Sequence, residues 1–99
     1  MNIIFTYKEI TTTSITIVCN LDWSQDDLPL MVEHYFQQTP CLEKVDWSHG
    51  ADLEAVRFKL QGHDFSLNFE CYGQSIWLEC PEYNGADLLS DFYQYTNKV

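Results

Sequence analysis

Basic residues are scarce in this chain. Lys8, Lys44, Arg57, Lys59 and Lys98 are set against fifteen Asp and Glu, for a net charge of −10 over 99 residues. The five form no cluster and no stripe. Binding to a phosphate backbone needs several basic contacts that release counterions. Direct nucleic-acid binding is therefore not expected, nor is attraction to an anionic membrane surface. A basic protein partner is compatible with the charge, as is the plainer role of keeping a small protein soluble. Long apolar runs are missing too. No stretch approaches the roughly 18 residues of a membrane-spanning helix. Met1-Asn2-Ile3-Ile4 lacks the basic region and apolar run of a secretory signal. The expected location is the cytoplasm, where thiols stay reduced.

Recognisable catalytic and ligand-binding motifs are also absent. Cys19, Cys41, Cys71 and Cys80 contain no Cys-x-x-Cys pair, and His34, His49 and His63 are not spaced as ligands, so no zinc site is expected. There is no Gly-x-Ser-x-Gly elbow, dinucleotide fingerprint, phosphate loop or EF-hand spacing. No cysteine stands beside a cationic residue or an evident helix start, as an activated thiol would. No cofactor and no metal are expected, and an enzyme is less expected than a binding protein.

What the chain has is material for a core. It is 45% hydrophobic and 15% aromatic, richer in both than a disordered chain. At this length, surface scaling lets roughly two-thirds of the unfolded surface be buried. One domain over residues 1–99 is expected.

Residues 3–10 and 14–19 read as two strands, with Thr11-Thr12-Thr13 as the turn between them. Their register is open, because Ile3-Ile4-Phe5 does not alternate. Leu28, Met31, Val32, Tyr35 and Phe36 then form a helical apolar stripe. Ser24, Asp26 and Asp27 could each cap that helix. Pro29 favours Asp26, which places the proline in the first turn, so a helix over about 27–38 is expected, ended by Thr39-Pro40. A strand over 41–47, carrying Leu42, Val45 and Trp47, precedes a turn at 48–52. The most regular region follows. Val56, Phe58 and Leu60, then Phe65, Leu67, Phe69 and Cys71, then Ile76, Leu78 and Cys80 alternate with polar neighbours. Gly62-His63 and Gly73-Gln74 read as the tight turns between them, which makes a meander. A last helix begins after Asn84 with Leu88, Leu89, Phe92 and Tyr95 on its apolar face, and residues 96–99 are expected to fray.

The order β-β-α-β-β-β-β-α predicts an α+β fold. It is a two-layer sandwich with a mainly antiparallel sheet and both helices on one face. Leaving out the first strand, the element order is that of the TATA-binding-protein-like fold, a comparison of order alone. Asp-Trp-Ser at 22–24 and 46–48, and Gly-Ala-Asp-Leu at 50–53 and 85–88, are turn and cap chemistry rather than repeats.

Two groups could carry function. The polar face of the meander presents Arg57, Lys59, Asn68, Glu70, Tyr72, Trp77 and Glu79. Two-residue turns would set Asn68 opposite Arg57 and Glu79, and Glu70 opposite Trp77. The plain reading is a solvated face with cross-strand ion pairs. The functional reading is a binding platform centred on Trp77, for a protein partner or a second copy of the chain. The other group, Asp46, His49 and Asp52 near Trp47, could supply a histidine and orienting carboxylates for acid–base chemistry if it lines a pocket. Asp and His near a turn are also common for turn reasons.

The run Arg57-Phe58-Lys59-Leu60-Gln61-Gly62-His63-Asp64-Phe65-Ser66-Leu67-Asn68-Phe69-Glu70, with Ser75-Ile76-Trp77-Leu78-Glu79 after it, resembles a family of uncharacterised gamma-proteobacterial proteins of similar length, whose domain has no assigned function. The resemblance implies a bacterial, cytoplasmic, free-standing protein. Taken together, the leading expectation is a non-enzymatic protein-binding or interaction module. The alternatives are an acidic mimic of nucleic acid that occupies a basic protein site, and a small enzyme using the Asp46/His49/Asp52 region.

Overall fold

The computed structural model describes residues 3–39 and 41–96. Strands β1 (Phe5–Ile10) and β2 (Ile15–Cys19) precede helix α1 (Leu28–Gln38). Strands β3 (Glu43–His49), β4 (Leu53–Leu60), β5 (His63–Glu70) and β6 (Ser75–Glu79) lead to helix α2 (Gly85–Thr96). The strands form one antiparallel sheet in the order β1-β2-β6-β5-β4-β3. The meander is therefore present, and β2 extends it by pairing Ile15 with Leu78 and Ile17 with Ile76.

Both helices cover the same face. Phe58, on β4, meets Tyr35 and Phe36 from α1 and Phe92 from α2. Around it Ile15, Val56, Leu67, Phe69 and Leu78 from the sheet, and Leu28 and Leu89 from the helices, are completely enclosed. Each such side chain contributes about 1.5–3 kcal/mol by leaving water. The expected two-layer α+β sandwich, with its order β-β-α-β-β-β-β-α, is what the chain forms.

Local details move. The expected Asp26 cap is not used: α1 starts behind Asp27, and a turn that starts behind Ser24 precedes it. Gln25–Asp27 make one 3-10 turn; the Ser24 N–H donates to Asp27 Oδ2 (2.9 Å), and the Asp27 N–H to the Ser24 carbonyl (3.0 Å). With this extra turn ahead of the helix, Pro29 still falls at the start of α1, where no N–H is needed. Thr39 closes α1, and Pro40 lies outside the described residues. Of the residues expected to fray, 96–99, Thr96 is instead the last residue of α2, its hydroxyl donating to the Phe92 and Tyr93 carbonyls, and 97–99 lie outside the described residues.

The β4–β5 turn is Gln61-Gly62, with φ of 53° and 83°, the signature of a type I′ hairpin. The β5–β6 connection has four residues, 71–74, since Glu70 pairs with Ser75. Both turns differ from the expected Gly62-His63 and Gly73-Gln74, and each slides the register by two residues. Asn68 thus opposes Ala55 and Trp77, not Arg57 and Glu79, and Glu70 opposes Ser75 and Leu53, not Trp77. A slide of two keeps every side chain on its face, where a slide of one would invert it.

β3 ends at His49 rather than 47. Its ladder shifts between Lys44 and Asp46, leaving Val45 as the extra residue and exposed. β1 carries the same kind of shift at Lys8. Gly85 is needed where it stands, because a Cβ there would collide with the Cys80 carbonyl oxygen.

Candidate functional site

The face of the sheet away from the helices bears the residues expected on the platform, and the structure divides them. On the β3–β5 side they satisfy one another. Arg57 pairs with Asp46 across the β3–β4 ladder (3.3 Å), and Lys59 with Asp64 across β4–β5 (3.0 Å). Both are exposed pairs of little energetic weight. Asn68 is buried; its Nδ2 donates to the Ser66 carbonyl (3.1 Å) and more weakly to the Trp77 carbonyl, and Ser66 Oγ donates to its Oδ1. Glu70 serves the adjacent turn, accepting the N–H groups of Tyr72 (2.7 Å) and Gly73 (2.8 Å). Tyr72 is not on the sheet. It sits in the 71–74 turn, exposed, so the expectation that it completes the platform fails because that loop is longer than two residues.

On the β2–β6 side the face is open. Trp77 is half-buried, opposite Thr16 on β2 and Asn68 on β5. Its Nε1–H donates to Glu79 Oε1, two residues along the same face. Together they line a groove of about 550 Å³ with Thr13, Ser14, Thr16 and Ser75. The hydroxyl residues of the β1–β2 hairpin were not among the expected site residues. They come to Trp77 only through the long-range β2–β6 pairing, which local patterning does not reveal.

The acid–base group is not assembled as expected. Asp46 is on the open face with Arg57, and His49, an odd number of residues away on the same strand, points to the helix face. Asp52 lies in the 50–52 loop, where its carbonyl accepts the Cys71 N–H. The carboxylate that holds His49 is Glu54, opposite it on β4 and almost fully buried. Glu54 accepts three hydrogen bonds, from Trp47 Nε1 (2.7 Å), Gln25 Nε2 (2.9 Å) and, with that nitrogen protonated, His49 Nδ1 (2.8 Å). The imidazole stacks on Trp47 at 4.9 Å. The signal was available: Glu54 shares the inward parity of Val56 and Phe58. The cluster ties the turn before α1 to edge strand β3.

Other polar groups have structural partners. Glu82 accepts the Asp64 N–H and bonds His63 Nδ1 (3.0 Å). First the backbone N–H and then the histidine hold its carboxyl below the usual range. Tyr7 and Tyr35 share a hydroxyl–hydroxyl bond of 2.7 Å in the core. Burial pushes Tyr7 up to about 12 and Tyr35 well above its ordinary value. The thiols of Cys71 and Cys80 are pushed up by burial first, which disfavours the reactive thiolate. Among the described residues no three His, Cys, Asp or Glu gather as a metal site would require, and no helix is long and apolar enough to cross a membrane.

Fold and site thus define an α+β protein with one covered and one open sheet face, the open face bearing a groove lined by Trp77 and Glu79. The chain belongs to the family described as protein of unknown function (DUF3630), whose family model matches residues 4–94. No curated protein and no solved structure matches it.

Proposed function

We propose that this protein is a non-enzymatic protein-binding module that uses the open face of its sheet around Trp77. One observation carries the reading: both helices lie on one side, and the uncovered side holds a half-buried tryptophan in a groove of about 550 Å³. Tryptophan joins a large apolar ring to a polar N–H and is enriched where proteins bind. The edges of the sheet are poorer candidates. β1 carries a bulge at Lys8 and β3 one at Val45, beside Lys44, and such features blunt strand-to-strand association.

The nucleic-acid mimic needs carboxylates arrayed over one surface. Here they spread over the turn before α1 (Asp26, Asp27), α1 itself (Glu33), the sheet (Glu79) and α2 (Asp87, Asp91), which favours the module reading. The split between Asp46 and His49 likewise weighs against an enzyme at that strand. A bacterial cytoplasmic setting suits four unpaired thiols.

The test is Trp77→Ala, with folding checked by circular dichroism. Native-cytosol capture and light scattering are run beside the parent. The variant is expected to lose a captured partner or a self-association that the parent shows. Identical capture and identical mass would refute the platform.

A further inference from the structure

Resting on the platform reading, we propose that the Trp77 groove receives an arginine or lysine side chain from a basic segment of the partner protein. The charges on the face point this way. The two cations expected on the platform, Arg57 and Lys59, are paired with Asp46 on β3 and Asp64 on β5. Among the described residues no cation reaches Glu79, whose carboxylate is held beside the indole by the Trp77 N–H. The groove therefore joins a ring face, a carboxylate acceptor and the hydroxyl residues Thr13, Ser14, Thr16 and Ser75.

A guanidinium or ammonium group satisfies all three at once. It can lie over the indole, pair with the carboxylate and leave remaining donors for the hydroxyl oxygens. An apolar anchor fits worse. Ile76 turns its side chain to the core, so Trp77 is the main apolar surface among the groove residues, and Glu79 would be buried without a counter-charge. A phosphate or an acidic peptide would meet that carboxylate with the same sign. The net charge of −10 further speeds encounter with a basic partner.

Isothermal titration calorimetry with hexa-arginine tests this at about 0.15 M salt, where screening leaves close contacts as the main term. Hexa-glutamine and cellohexaose serve as uncharged probes, and amide NMR shifts locate any contact. Saturable binding of hexa-arginine is expected, with shifts at residues 14–16 and 75–79. Glu79→Gln is expected to weaken it by about tenfold, and a remote exposed charge change, Asp87→Asn on α2, by under about twofold. Equal losses in the two variants would overturn the proposal, because charge anywhere would then suffice. So would saturable binding of cellohexaose in the groove without hexa-arginine, or no saturable binding of the peptide. The two readings separate cleanly. If Glu79→Gln keeps the captured partner and Trp77→Ala loses it, the platform stands and the cation falls. If both variants keep it, both readings fall.

Discussion

Truncating Glu54 to alanine tests whether the buried carboxylate organises the β3 edge. The substitution removes the acceptor for Trp47, His49 and Gln25 together. A buried hydrogen bond to a charged group contributes about 1.5–3 kcal/mol, but the three donors differ in their recourse to water. The His49 side chain is 65% exposed against 5% for Glu54, so its bond belongs nearer the surface range of about 0–1 kcal/mol. Gln25 is exposed and can also rehydrate. Trp47 is half-buried, and its N–H should lose most. The sum is about 2–4 kcal/mol. For a chain of this size that lowers Tm by roughly 10–25 °C. Urea unfolding followed by tryptophan fluorescence measures it, and an unchanged m-value certifies that the unfolded reference is the same. Trp47→Phe, which keeps a ring and deletes the donor, should cost about 1–2 kcal/mol, and His49→Ala under about 1. Two results would refute the reasoning. Glu54→Ala within about 0.5 kcal/mol of the parent would mean the network holds nothing. His49→Ala as costly as Glu54→Ala would mean that exposure ranks the donors wrongly.

Burial raises Tyr7 to about 12, while an unfolded tyrosine ionises near about 10, so the unfolded chain releases its proton first. Stability from the Tyr7–Tyr35 pair should be complete below about pH 10 and fall away as pH rises through about 12; urea midpoints across that range check the direction. Tyr7→Phe strands the Tyr35 hydroxyl and should cost about 1–3 kcal/mol, whereas Tyr7→Phe with Tyr35→Phe should recover most of it, and a double variant worse than the single would contradict this. Deleting Val45 makes the Lys44–Phe58 and Asp46–Arg57 pairs consecutive, which regularises edge strand β3. Sedimentation should then show self-association rising with concentration in a chain that stays folded, and a strictly monomeric deletion variant would show that the bulge guards nothing.

How much of this was legible depends on which residues speak locally. The inward run of Val56, Phe58, Phe65, Leu67, Phe69, Ile76 and Leu78 states both the strands and their buried face by parity alone, and the stripe from Leu28 to Phe36 states α1. The register was not legible, because Gln61 adopts φ of 53° and Gln74 φ of 54°, and glutamine advertises neither. Trp77 and Glu79 could be assigned to the open face from β6 alone. Thr13, Ser14 and Thr16 could not join them, since only the pairing of β2 with β6 makes them neighbours. Glu54 was legible in principle: a carboxylate at an inward position, with donors Trp47 and His49 on the preceding strand, marks a buried acceptor.

The open face also explains why its two halves should be read differently. A sheet face left to water needs polarity, and the β3–β5 half supplies it in closed form. Arg57 and Lys59 are neutralised, Asn68 is satisfied within its own strand and by β6, and Glu70 is spent on a turn. Each of these groups already has a partner within the chain. The β2–β6 half has the opposite character: hydroxyls facing a groove, a carboxylate without a cation among the described residues, and an indole that solvation alone does not call for. Water would be served as well by threonine or lysine at position 77. The asymmetry between halves built on the same pleat is what makes Trp77 and Glu79, rather than the platform as a whole, the residues on which binding should turn.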